Sequence, residues 1–118
     1  MNKIGSMGEK LAAKHLKKIG YKIIERNFKL KCGEIDIIAK DGEYVCFIEV
    51  KGRTSNSFGE PFEDVDFIKQ EKLRIVAEIW LNMHNLCSAK CRFDVVSIVF
   101  TQNYKVDKIE VIKDAFWE

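Results

Sequence analysis

Long apolar runs are missing from this sequence: Val45–Ile48 and Ile98-Val99-Phe100 are among the longest, far short of the roughly 20 residues that span a bilayer. The first residues, Met1-Asn2-Lys3-Ile4-Gly5, lead straight into a charged stretch and lack the apolar segment of a signal peptide. A cytoplasmic protein that does not enter a membrane is therefore expected. Cysteine is scarce and irregularly placed. Cys32, Cys46, Cys87 and Cys91 cannot staple a secreted fold, and cytosolic thiols are normally reduced. Only Cys87 and Cys91 have a spacing that zinc sites tolerate, and no second pair accompanies them, so free thiols, buried or half-buried, are expected. The two histidines, His15 and His84, lie far apart without a metal-ligand pattern. No GxxxxGKS/T phosphate loop or GxGxxG fingerprint occurs. Thr54, Ser55 and Ser57 lack the glycine framing of a nucleophile elbow.

The 118 residues, 47% apolar and 32% charged, describe one globular domain over 1–118, with a core that needs no staples. Net charge is only +2, but it is unevenly spread. Residues 1–31 hold nine Lys/Arg against two acids, Glu9 and Glu25, leaving the remainder net acidic. A basic quarter beside an acidic remainder suits a surface that touches phosphates next to metal-binding carboxylates. A solvated, lysine-rich helix face would give the same counts.

Residues 6–19 read as an amphipathic helix, with Ser6 and Glu9 in capping-box positions and Gly20 ending it. Gly8, Ala12, Leu16 and Ile19 share one face, and Glu9 falls at its edge. Strand patterns follow at Tyr21–Lys29, Glu34–Lys40 and Tyr44–Lys51, the last two joined by an Asp41-Gly42 turn that signals a hairpin. Gly52–Asp66, which holds the only proline (Pro61), reads as a long loop. A second helix is expected over Phe67–His84, with Asp66 as its cap. Leu73, Val76, Trp80 and Met83 form its inward stripe, extended by Ile68, Ile75 and Ile79. Two more strands, Arg92–Thr101 and Lys108–Ile112, complete the order α-β-β-β-α-β-β. The fold class is thus α/β, a mixed sheet flanked by helices.

Because alternate residues of a strand share a face, Glu34 and Asp36 point one way, as do Glu49 and Lys51 on the next strand. A hairpin would project both sets from the same side of the sheet, among otherwise apolar strand residues. Two carboxylates about 4 Å apart repel by roughly 4 kcal/mol at an effective dielectric of about 20. Lys51 relieves part of that, and a divalent cation relieves more. Oxygen ligands suit Mg²⁺ or Mn²⁺. Such a cation activates water for attack on a phosphate, and a neighbouring lysine orients that water or steadies the leaving group. The same alternation also decorates ordinary solvent-facing strands. Glu9, aimed from the first helix toward the same core, favours a site. Arg92 and Asp94 share a strand face and read as a structural pair, and Trp80 and Trp117 as packing residues.

The ordered pieces Gly8-Glu9, Gly20-Tyr21, Arg26-Asn27-Phe28, Gly33-Glu34-Ile35-Asp36-Ile37-Ile38 and Phe47-Ile48-Glu49-Val50-Lys51 resemble the YraN family of small bacterial endonuclease-like proteins. Arg53, Phe58-Gly59, Lys69-Gln70, Lys72-Leu73, Arg92–Val96 and Ile112–Phe116 extend the likeness along nearly the whole chain. At superfamily level it is similar to archaeal Holliday-junction resolvases among the PD-(D/E)XK nucleases. The resemblance implies a restriction-endonuclease-like sheet and a metal site built from Asp36 as central ligand, Glu49 with the Val50 carbonyl, and Glu9 from the helix. It implies Lys51 as catalytic lysine, and Lys69, Gln70 and Lys72 in a phosphate-contacting region, although Lys69 would equally fit a lysine snorkelling over the core. Arg53 either contacts a phosphate or is simply solvated, and Glu34 either joins the site or pairs with a lysine. Ile35 stands where the superfamily's name has proline.

The expectation is a metal-dependent nuclease acting on DNA, branched DNA or RNA, with Mg²⁺ or Mn²⁺ as cofactor. Junction-cutting relatives work as two-fold pairs, so a homodimer is expected as well. Two rivals compete with it: a non-catalytic nucleic-acid-binding module on the same fold, and a scaffold whose acids only form ion pairs.

Overall fold

A computed structural model describes residues 3–54 and 67–116, with side chains from residue 5 onward. Its elements are α1 (Lys3–Lys18), β1 (Lys22–Leu30), β2 (Gly33–Asp41), β3 (Tyr44–Thr54), α2 (Phe67–Met83), β4 (Cys91–Phe100) and β5 (Val106–Ile112). This is the α/β order read from the sequence. The five strands form a mixed sheet in chain order, β1-β2-β3-β4-β5. Only β3 and β4 run parallel; the other neighbours are antiparallel. A parallel neighbour needs a crossover, and α2 lies in the one between β3 and β4.

The helices cover opposite faces of the sheet. Val45 and Phe47 of β3 and Phe93 and Val95 of β4 pack with Leu73, Val76, Ala77 and Trp80 of α2. Cys46 and Ile48, and Val96, Ile98 and Phe100, pack with Ala12, Ala13 and Leu16 of α1. A sheet buried on both faces explains why its central strands are apolar almost throughout rather than alternating. Trp80 is 1% exposed and stands edge-on to Phe47, ring centroids 5.9 Å apart. Its indole N–H is satisfied by Glu25 Oε1 at 2.9 Å.

Several expectations need correcting. The first helix begins at Lys3, not at Ser6, so Ser6 sits inside it and forms no capping box with Glu9. Ile19 lies past its end and is 47% exposed. On α2 the inward stripe is Leu73, Val76, Ala77, Trp80 and Leu81. Ile68, Ile75, Ile79 and Met83 face outward instead. The hairpin turn is Gly42-Glu43, because Asp41 still pairs with Tyr44; Gly42 takes the positive φ of 61° that the turn requires. β3 runs on to Thr54, taking in Arg53. Cys32 and Cys87 are exposed rather than half-buried. Asp66, Ser55, Ser57 and Trp117 lie outside the described residues. No helix among the described residues is long and apolar enough to cross a membrane.

Candidate metal centre

The site forms where β2 parts from β3. Their ladder runs from Asp41↔Tyr44 to Ile37↔Ile48 and stops there, one residue short of Asp36 and Glu49. On the other side, β1 pairs Arg26↔Ile37 and Phe28↔Ile35 around Asn27, whose φ is 55°. Asparagine tolerates this left-handed conformation better than most residues. Across the irregularity the faces reset: Ile35 packs in the α2-side core, and Ile37, two residues on, packs in the α1-side core. Regular alternation would put both on one face. Asp36, at the break, reaches toward β3 and accepts the Val50 N–H with Oδ2 at 2.8 Å. Its side chain thereby takes over a bond that β2 backbone would otherwise make. The N–H and C=O of a strand residue point to the same edge, so the Val50 carbonyl lies on the cleft side of β3 too.

Asp36 is 9% exposed and Glu49 is 5% exposed. Burial first, then the charge of Glu49, pushes the Asp36 carboxyl up to about 8; the Val50 N–H partly offsets this. Glu49 shares the α2 side of β3 with Val45 and Phe47. Its Oε2 forms an ion pair with Lys69 Nζ of α2 and stands 3.8 Å from Lys51 Nζ. Burial works against the Lys69 ammonium, but the hydrogen bond and charge of Glu49 outweigh it and raise its pKa.

These groups line one cleft of about 280 Å³. Glu9 enters it from α1, and Gly8 brings that helix close: a Cβ on Gly8 would lie 3.7 Å from Val50 Cγ1. Lys69, Lys72 and Leu73 enter from α2. That helix rides close over the start of β2, where a Cβ on Gly33 would come within 3.3 Å of Val76 Cγ2. Glu34 also borders the cleft, though its carboxylate is 3.8 Å from Lys29 Nζ and its side chain is about half exposed. Gln70 and Arg53 are not among the described residues that line it.

The structure thus brings Glu9, Asp36, Glu49, Val50, Lys51, Lys69 and Lys72 to one place. Among the described residues, no three His, Cys, Asp or Glu side chains already form a metal cage. Two buried carboxylates and a cleft-side carbonyl fit an ion that keeps several of its waters, as Mg²⁺ does. They suit zinc less well, since its protein sites are built mainly on histidine nitrogen and cysteine sulfur. Sequence reasoning missed Asn27 and Gly33, the backbone positions that allow the break and the close approach of α2. The one signal was residue type, an asparagine inside a strand pattern and a glycine at a strand's start.

A second polar cluster occupies the opposite end of the sheet. Asp94, fully buried, accepts hydrogen bonds from Arg92 Nε (2.9 Å), Tyr21 OH (2.8 Å) and the Asp114 N–H (2.9 Å). Arg92 also reaches Asp41 at 2.7 Å, which Lys113 meets at 2.9 Å. Arg92 and Asp94 are the pair expected from their shared strand face. Every carboxylate here has its cation, so the cluster ties β2, β4 and the C-terminal segment together and exposes no reactive group.

The model of the uncharacterised protein family UPF0102 matches residues 8–98. A UPF0102 protein of Clostridium kluyveri is 48% identical over 113 residues, covering 96% of this chain and 93% of its own. Those of Moorella thermoacetica and Caldicellulosiruptor saccharolyticus are 46% and 44% identical over 112 and 118 residues; they cover 95% and 98% of this chain and 93% and 100% of their own.

Proposed function

This chain belongs to the uncharacterised protein family UPF0102, the YraN family, and we propose that it is a Mg²⁺- or Mn²⁺-dependent nuclease of the PD-(D/E)XK type. The observation that carries the reading is the meeting of Asp36 and Glu49, from neighbouring strands, in a cleft rimmed by Lys51, Lys69 and Lys72. Buried acids side by side have an energetic reason to take up a cation, and lysines at the mouth have a reason to meet an anion. A divalent ion with a nucleic acid phosphate would answer both.

Asp36 and Glu49, with the Val50 carbonyl, would hold the ion, and Glu9 would act from α1 directly or through water. Once bound, such an ion acidifies a coordinated water and neutralises charge building on the phosphate. Lys51, projecting from the same side of β3 as Glu49, would orient the attacking water or steady the leaving oxygen. Lys69 and Lys72 would hold the scissile or a flanking phosphate. The nucleophile would be a metal-activated water rather than a side chain. DNA is the first substrate to try; a branched form offers two symmetric strands and would suit a two-fold homodimer.

The test is cleavage of labelled single-stranded, duplex, flap and four-way-junction DNA, and of RNA, with Mg²⁺ or Mn²⁺, for the native protein and Lys51→Ala. Metal-dependent cutting that disappears in the variant is expected. Binding without cutting in both would replace the nuclease with a non-catalytic nucleic-acid-binding module.

A further inference from the structure

Glu49 already has a cation. Its side chain is 6% exposed, and a buried carboxylate left alone is costly. Two lysines approach the same oxygen, Oε2. Lys51 stands at 3.8 Å from the same strand, while Lys69 crosses the cleft from α2 and makes the direct contact. The Lys69 side chain is 40% exposed, so its ammonium has a path from Glu49 to the cleft mouth. Asp36 sits beside the same spot, held by the Val50 N–H.

We propose that Lys69 is a removable cation: it neutralises Glu49 in the metal-free protein, yields that oxygen to the divalent ion, and then passes to a substrate phosphate. This rests on the metal-centre reading above and adds a competition within it. An ammonium and a divalent ion at one carboxylate oxygen compete, because their mutual repulsion carries the ion's double charge. A lysine suits the exchange because its charge is compact and its stem flexible, whereas arginine is held by its planar fork.

Once displaced, Lys69 gains a phosphate that enters the cleft as its new partner. Metal and nucleic acid therefore help one another bind. The coupling must be reciprocal: whatever factor nucleic acid adds to metal affinity, metal adds to nucleic acid affinity. Metal alone binds weakly, and the assembled centre forms chiefly where a backbone is present to receive Lys69. Lys69 is then a positioning residue in the metal-free state and a phosphate contact in the loaded one.

The experiment is calorimetric titration of Mn²⁺ into the native protein and Lys69→Met, Lys69→Arg and Lys72→Met, with and without a short phosphorothioate DNA duplex that resists cleavage. Lys72→Met also removes one positive charge from the cleft, and Lys72 forms no ion pair with Glu49, so it reports the general electrostatic share. Without DNA, Lys69→Met is expected to bind Mn²⁺ about tenfold tighter than Lys72→Met does, within the usual range of coupling between sites. Lys69→Arg is expected to stay at or below native affinity. Duplex should tighten Mn²⁺ binding to the native protein and do so much less in Lys69→Met. If Lys69→Met loses its cooperative melt, Lys69→Gln replaces it. Equal affinities in Lys69→Met and Lys72→Met would overturn the proposal while leaving the metal centre standing. No Mn²⁺ binding by any variant would overturn the metal centre itself.

Discussion

Taking the protein from about pH 8 to about pH 6 is expected to weaken Mn²⁺ binding roughly 50-fold, because the ion competes with a proton. The proton is the one on Asp36, held up to about 8 by burial first and then by Glu49. A ligand must be ionised, so apparent affinity falls by a factor of one plus the ratio of protonated to ionised carboxyl. That factor is about 2 at pH 8 and about 100 at pH 6. At pH 7 about nine-tenths of the sites carry the proton, so each ion bound releases about 0.9 H⁺. Calorimetry at pH 7 in two buffers of different ionisation enthalpy counts that release directly. Without metal, the sign for stability is the reverse of the usual carboxylate case. The folded-state pKa lies above the unfolded value of 3.8, so the folded state binds more protons across the window from there to about 8. The Asp36 contribution to stability is therefore fully present at the acid end and is lost as pH rises through the window. Affinity that stays flat between pH 6 and 8, with no proton released, would refute the assignment of Asp36 as the buried ligand.

The remaining predictions follow from particular contacts. Asp36→Asn matches the uncharged form that predominates in the metal-free protein at pH 7 and keeps an acceptor for the Val50 N–H, so the metal-free variant is expected to melt near the native temperature at pH 7 and above it at about pH 9, where the native carboxylate faces Glu49; Mn²⁺ should no longer raise that melt. A clear loss of stability would assign Asp36 a structural role. At Asn27, with φ 55°, glycine is expected to be neutral and valine to cost about 1–2 kcal/mol in urea denaturation; a tolerated valine would mean the break at Asp36 does not depend on that conformation. Arg92→Met leaves the buried Asp94 without its cation and is expected to cost about 3–5 kcal/mol; a loss below 1 kcal/mol would show that Tyr21 and the Asp114 N–H suffice.

Element order and the acid–lysine set were legible because they depend on local signals. Gly20 after a charged helix, the glycine turn between two β-branched runs, and Glu49 two residues before Lys51 each announce themselves within a few positions. What was not legible depends on departures from periodicity. Alternation put Glu34 and Asp36 on one face, but a break centred on Asp36 turns its carboxylate toward β3. No regular template anticipates that. The α2 helix is apolar around most of its circumference, so Ile68, Ile75 and Ile79 looked as inward as Leu73 and Val76; only the sheet decides which stripe is covered. Ser6 and Glu9 fit a capping box in sequence, yet the helix starts a turn earlier and Glu9 lines the cleft instead. The ion pair between Lys69 and Glu49 joins residues 20 positions apart across a crossover. Sequence could aim Lys69 inward but could not name its partner.

A shared divalent ion on Asp36 and Glu49 would show itself in a crystal soaked in Mn²⁺ through the metal's anomalous scattering. An anomalous peak is expected about 2.1 Å from a carboxylate oxygen of each residue, with Lys69 moved off Glu49. A crystal at saturating Mn²⁺ with no peak between the two carboxylates, and Lys69 still seated on Glu49, would contradict it.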